Sequence, residues 1–113
     1  MISSTLDLAR FDIALNSGKL LKPETLELMY TSARLNSGVA TGYGLGWMIS
    51  QDNGRLRVAH SGGATGGTTI ILREPRARVA SVLLVNLDNV PRLRELAEQL
   101  VDLAPRAGAL TTR

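Results

Sequence analysis

The chain has 113 residues, 44% of them hydrophobic and 20% charged, with a net charge of +3 and a pI near 10.0. That balance describes one small globular domain with enough apolar surface for a core, and it excludes a disordered chain. With no cysteine and one histidine, disulfides, thiolate catalysis and cysteine-based zinc sites are excluded, and neither a metal nor a cofactor is expected.

No apolar run approaches a membrane span, and the first residues lack the basic-then-apolar order of a signal peptide. These features leave the compartment unassigned and give no expectation of membrane binding. Eleven of the thirteen basic residues are arginine, spread over the chain without interleaved aromatics. A solvated basic surface is therefore expected, and nucleic-acid binding is not.

Ser3-Ser4-Thr5 with Asp7 starts a first helix, on which Leu8, Phe11 and Leu15 recur at helical spacing. Leu6, Ala9 and Ile13 form an adjoining stripe, and Asn16-Ser17-Gly18 ends the helix. Pro23 opens a second, short helix through about Tyr30. Thr31 to Thr41 reads as a loop.

Tyr43 to Ile49 reads as a strand, with Tyr43, Leu45, Trp47 and Ile49 on one face and glycines on the other, where something must pack close to the backbone. Trp47 is expected in the core. Asp52-Asn53-Gly54 is a hairpin turn. The next strand, Arg55 to Ser61, places Leu56, Val58 and His60 on one face and Arg57, Ala59 and Ser61 on the other. A glycine-rich connection, Gly62 to Gly67, leads to a strand over Thr68 to Arg73. Pro75 sets the turn that follows. Val79 to Val85 is continuously apolar, as in a central strand covered on both faces. Asn86 to Asn89 leaves the sheet and supplies a cap. Leu93, Leu96, Ala97, Leu100, Val101 and Ala104 then mark an amphipathic helix that Pro105 ends. The carboxylates of Asp52, Glu74 and Asp88 are expected to be solvated in turns.

The fold class expected is α+β: an antiparallel sheet of about four strands packed by N-terminal and C-terminal helices. Within a single domain, residues 1–41 form a helical lead-in, 42–89 the antiparallel meander, 90–105 the C-terminal helix and 106–113 a tail.

The chemistry-bearing stretch is His60-Ser61-Gly62-Gly63-Ala64-Thr65-Gly66-Gly67. A histidine, a hydroxyl and bare N–H groups at a strand end suit an anion or a carbonyl oxygen. His60 and Ser61 point to opposite faces of an extended strand, so they do not pair as base and nucleophile.

Tyr43-Gly44-Leu45-Gly46-Trp47, His60-Ser61-Gly62-Gly63 with Gly66-Gly67, and Val82-Leu83-Leu84-Val85-Asn86, in this order, resemble the C-terminal third of serine β-lactamase-like hydrolases. The closest branch is that of class C β-lactamases, related esterases and D-alanyl-D-alanine peptidases. Ser4-Thr5-x-Asp7-Leu8-Ala9-Arg10-Phe11 and Pro23-Glu24-Thr25 resemble the preceding helices, so the similarity runs from about Ser3 to Ala104. The resemblance implies that His60 supplies a hydrogen bond or positive charge near a catalytic serine, that Ser61 binds a substrate carboxylate or carbonyl, that Gly62 leaves room for substrate, and that the Gly63 N–H is one arm of an oxyanion hole.

The family nucleophile sits in Ser-x-x-Lys, and none of serines 3, 4, 17, 32, 37, 50, 61 and 81 has lysine three residues on. The second motif, Tyr-x-Asn or Ser-x-Asn, is also missing. The expectation is a truncated hydrolase with no catalytic residue of its own and no activity alone. The alternatives are a non-catalytic, self-associating binding module, or one part of a split hydrolase completed by an N-terminal part on another polypeptide. In the resembled fold an N-terminal strand flanks Val79–Val85, and it is not found here. A homodimer is therefore expected, through that edge or through exchanged helices, with an apolar interface on the order of 2,000 Å² in total.

Overall fold

The computed structural model describes residues 2–105; the tail expected over 106–113 lies outside the described residues. The elements run α1 (Thr5–Asn16), α2 (Pro23–Met29), β1 (Met48–Asp52), β2 (Arg55–Ala64), β3 (Gly67–Glu74), a 3₁₀ turn (Pro75–Ala77), β4 (Val79–Val85) and α3 (Leu93–Leu103). The four strands form one antiparallel meander in the order β1-β2-β3-β4. This is the α+β arrangement of the sequence reading.

Each element has a local cause. The Ser4 side chain caps α1 by accepting from the Asp7 N–H, and Gly18 follows the helix at φ +72°. Asn53 (φ 49°) and Gly54 (φ 75°) make the β1–β2 turn, whose two left-handed residues match the twist of the strands. β4 spans the seven residues whose apolar run announced it.

Two small cores lie on opposite faces of the sheet. On one face α3 buries Leu93, Ala97 and Val101 against Ala59, Ile70 and Leu72. On the other, Leu15 of α1, Tyr30 and Trp47 close over Val58. Tyr30 and Trp47 meet edge to face, with ring centroids 6.0 Å apart.

Four expectations are corrected. First, Tyr43–Trp47 is a tight turn, and the strand starts only at Met48. Gly42 and Gly46 take φ of +72° and +81°, which break the extended run, so Leu45 turns out to solvent while Trp47 tucks in. The close approach expected of its glycines is found at Gly44, where a Cβ would lie 2.1 Å from the Met29 carbonyl oxygen.

Second, β2 does not stop at Ser61: Gly62, Gly63 and Ala64 continue the ladder with Thr69, Thr68 and Gly67. Third, α3 has no side-chain N-cap; Arg92, in the left-handed region, stands there instead. The fourth correction is Glu74, which is buried beside Arg55 and Arg57 rather than solvated.

Candidate functional site: the open edge of β2

β1 runs alongside β2 only from Asp52↔Arg55 to Met48↔Ala59. Beyond Ala59, β2 continues through His60 to Ala64 with β3 as its only strand partner among the described residues. The Gly62 carbonyl accepts from the Thr69 hydroxyl of β3 at 3.3 Å, and the Arg57 carbonyl accepts from the Ser50 hydroxyl of β1 at 3.5 Å. Backbone groups of alternate residues face the same edge of an antiparallel strand. Those of Ser61 and Gly63 therefore face the side where β1 has ended. The Gly63 N–H stands at an edge that is open among the described residues.

The side chains divide as the pleat requires. His60 is exposed and borders an open cleft of about 810 Å³, shared with Leu8, Ile71, Leu84 and Asn86. Ser61, on the opposite face, borders a second cleft of about 460 Å³ with Met48, Ile70 and Arg92. A third, of about 550 Å³, lies along Ser61–Thr65 and reaches Asp88 and Asn89. Among the described residues neither the His60 nor the Ser61 side chain is hydrogen-bonded, so both are available to a ligand. The two side chains diverge, and no base–nucleophile pair forms between them.

The two glycines differ. A Cβ at Gly62 would meet the Thr69 hydroxyl at 3.1 Å, whereas one at Gly63 would meet nothing within 4 Å. Glycine at 62 thus has a local packing reason. At 63 it leaves space beside the open N–H.

The β2–β3 turn is tied down from outside the hairpin. Gly66, at φ +81°, donates its N–H to the Asp88 carboxylate at 2.6 Å. The Thr68 hydroxyl donates to the Leu87 carbonyl at 2.7 Å. The segment after β4 therefore belongs to the rim of this site, a role that reading Asn86–Asn89 only as a cap does not reveal. The signal was three polar residues, Asn86, Asp88 and Asn89, directly after an apolar strand.

A charged cluster braces the sheet from beneath α3. Buried Arg57 hydrogen-bonds Asp102 of α3 and lies 3.2 Å from Asp52 and 3.6 Å from Glu74. Arg55 reaches Asp52 at 2.8 Å and Asp102 at 3.2 Å. Partial desolvation pushes the Asp102 carboxyl up, but the hydrogen bond and charge of Arg57, with the charge of Arg55, outweigh it and hold the group below the ordinary carboxylate value. On the other face Arg73 is fully buried, bonded to Asp12 and Asn16 of α1, with its guanidinium 5.6 Å from the Tyr30 ring centroid and 5.7 Å from that of Trp47. These ion pairs fix α1 and α3 to the sheet and thereby hold the β2 edge in place. Among the described residues no group of three or more metal-ligating side chains occurs.

A family profile described as "Beta-lactamase" matches residues 1–105. Penicillin-binding protein 4* of Bacillus subtilis (strain 168) is 37% identical over 86 residues, covering 74% of this chain and 19% of that protein. The chain thus spans about a fifth of the length of the curated relative it matches. No solved structure gives a significant match. The profile match extends over nearly the whole chain, and the chain belongs to the serine β-lactamase-like family.

Proposed function

We propose that this chain forms the substrate-binding edge of a serine hydrolase of the β-lactamase, esterase or peptidase type. The observation that carries the reading is the open edge of β2 at Ser61–Gly63, with an unpaired backbone N–H beside a glycine that a side chain would crowd nothing to replace. In acyl transfer the attacked carbonyl oxygen gains negative charge, and a preorganised N–H aimed at that oxygen lowers the barrier. Gly63 supplies that donor, and Gly62 leaves room for substrate beside the strand. Ser61, on its side of the strand, binds a substrate carboxylate or carbonyl. His60 contributes a hydrogen bond or positive charge from the other side.

The nucleophile is absent from these 113 residues, since no serine stands in Ser-x-x-Lys. It must therefore be supplied by other residues, of a longer polypeptide or of a complementing one. The 113-residue chain by itself is expected to be inactive. Incubation with a fluorescent penicillin, a chromogenic cephalosporin and a short p-nitrophenyl ester tests this. Neither label nor turnover is expected. Stoichiometric labelling, or turnover abolished by changing one serine, overturns the assignment of a site without its own nucleophile.

A further inference from the structure

The β2–β3 hairpin runs past both of its neighbours. β1 ends opposite Ala59, and the last pair of β3 with β4 is Thr68↔Val85. The tip, Ala64 to Gly67, therefore has no further strand beside it among the described residues. Gly63 sits one pair below that tip, opposite Thr68. A two-stranded ribbon is marginally stable by itself. Burial does not hold this one in place, because His60 to Gly66 are all exposed.

The turn does not hold it either. Thr65 and Gly66 join Ala64 to Gly67, and of the two only Gly66 is left-handed, at φ +81°. The two-residue turns whose twist matches the strands, types I′ and II′, need a left-handed first residue, and types I and II splay the strands. The hold comes from the loop after β4. Its Asp88 carboxylate accepts from the Gly66 N–H at 2.6 Å, and its Leu87 carbonyl accepts from the Thr68 hydroxyl at 2.7 Å. The first bond fixes the plane of the peptide between Thr65 and Gly66. The second fixes the cross-strand partner of Gly63. The carboxylate acceptor makes the first the stronger of the two. Asn89, left-handed at φ 49°, turns the loop directly after Asp88.

We propose that Asp88 is a positioning residue for acyl transfer at the β2 edge. It acts through Gly66: by holding the hairpin tip it fixes the direction of the Gly63 N–H. The proposal rests on the reading of β2 as an oxyanion-binding edge. A donor stabilises a developing oxyanion only if it is aimed before the reaction begins. A misplacement of about 1 Å at such a site costs about 10²-fold in rate. Without the carboxylate, the donor stands on a two-stranded ribbon whose tip is held by the Thr68 hydroxyl alone.

Backbone ¹⁵N relaxation of the 113-residue chain tests the hold itself. The Gly63 and Gly66 amides are expected to show order parameters of about 0.85 in the parent and below about 0.6 in Asp88→Ala. Asp88→Asn, whose side-chain oxygen can accept the same N–H, is expected to restore them. The effect on chemistry is read in a chimera in which this chain replaces the matching segment of Penicillin-binding protein 4*. With a fluorescent penicillin, Asp88→Ala is expected to lower the acylation rate constant by about tenfold or more with little change in the half-saturating concentration. Asp88→Asn is expected to bring the rate back to within about threefold of the parent, with matching melting curves throughout. Order parameters already low in the parent or unmoved by Asp88→Ala overturn the proposal. So does an unchanged acylation rate in a chimera that is labelled, or an Asp88→Asn form no better than Asp88→Ala; each leaves the reading of the β2 edge standing. A parent chimera that takes no label overturns that reading instead, and the order parameters still decide whether Asp88 holds Gly63.

Discussion

Gly44→Ala and Gly46→Ala should separate two reasons for glycine within three residues. Gly44 lies outside the left-handed region, yet a Cβ there would sit 2.1 Å from the Met29 carbonyl oxygen, 2.9 Å from Ile49 Cδ1 and 3.1 Å from the Thr31 carbonyl oxygen. Two of these three neighbours are backbone atoms, which no rotamer change can move. The Met29 carbonyl also accepts the Leu45 N–H at 3.1 Å, so pushing it away breaks the contact that closes α2 onto the turn. Core overpacking costs roughly 1–3 kcal/mol where side chains can yield. Here the backbone itself must shift, so the expected loss for Gly44→Ala is about 3 kcal/mol or more. Such a loss corresponds to a fall in Tm of roughly 12 °C or more for a domain of this size. Gly46 has φ +81° and no atom within 4 Å of a built Cβ, so Gly46→Ala carries only the left-handed penalty of about 1–2 kcal/mol. Urea unfolding followed by Trp47 fluorescence reads both, because the single tryptophan is only 6% exposed when folded. A Gly44→Ala protein within about 0.5 kcal/mol of the parent, or less destabilised than Gly46→Ala, refutes the steric reasoning.

Asp12→Ala leaves the buried Arg73 guanidinium without its carboxylate and is expected to cost about 3–5 kcal/mol in urea unfolding. The double variant Asp12→Ala/Arg73→Met should recover part of that loss; a double variant less stable than the single would show that the charge is not the cause. The depressed Asp102 carboxyl predicts a pH effect. Its contribution is fully present above the unfolded-state carboxylate range and is lost as pH falls through the lower folded-state value. Asp102→Asn should therefore lower stability above the carboxylate range and flatten the acid limb of the stability curve, as followed by thermal melts across pH. An unchanged acid limb would place the acid sensitivity on other groups.

Much of the fold is legible in the sequence because its signals are local. The Ser4 cap, the Asn53-Gly54 turn, the continuous apolar run of β4 and the stripe on α3 each specify an element from a few neighbouring residues. The misread segments depend on features that alternation does not report. Tyr43–Trp47 alternates like a strand, but the positive φ of Gly42 and Gly46 folds it into a turn. Gly62 and Gly63 look like a loop, yet pairing with Thr69 and Thr68 extends them into β2. The buried charges are harder still. Arg57 and Arg73 sit within strands, and their carboxylate partners are 45 and 61 residues away in sequence. A charged side chain is ordinarily assigned to the surface, and only the tertiary pairing reverses that. His60, Ser61, Gly62 and Gly63 were identifiable from their order, but the openness of their edge depends on where β1 stops. The contribution of Asp88 depends on the loop after β4 folding back onto the β2–β3 turn.

The β2 edge should serve acyl transfer once a nucleophile is supplied. The most direct measurement exchanges the matching segment of Penicillin-binding protein 4* for this chain and follows covalent labelling by a fluorescent penicillin, with and without Gly63→Val. Within this chain a Cβ built at Gly63 meets nothing within 4 Å, and melting curves of the two chimeras check that the variant folds as its parent does. The parent chimera should be labelled, and Gly63→Val should lower the labelling rate by about 10²-fold or more, the loss of one oxyanion donor's access. Equal labelling rates in two equally folded chimeras would contradict it.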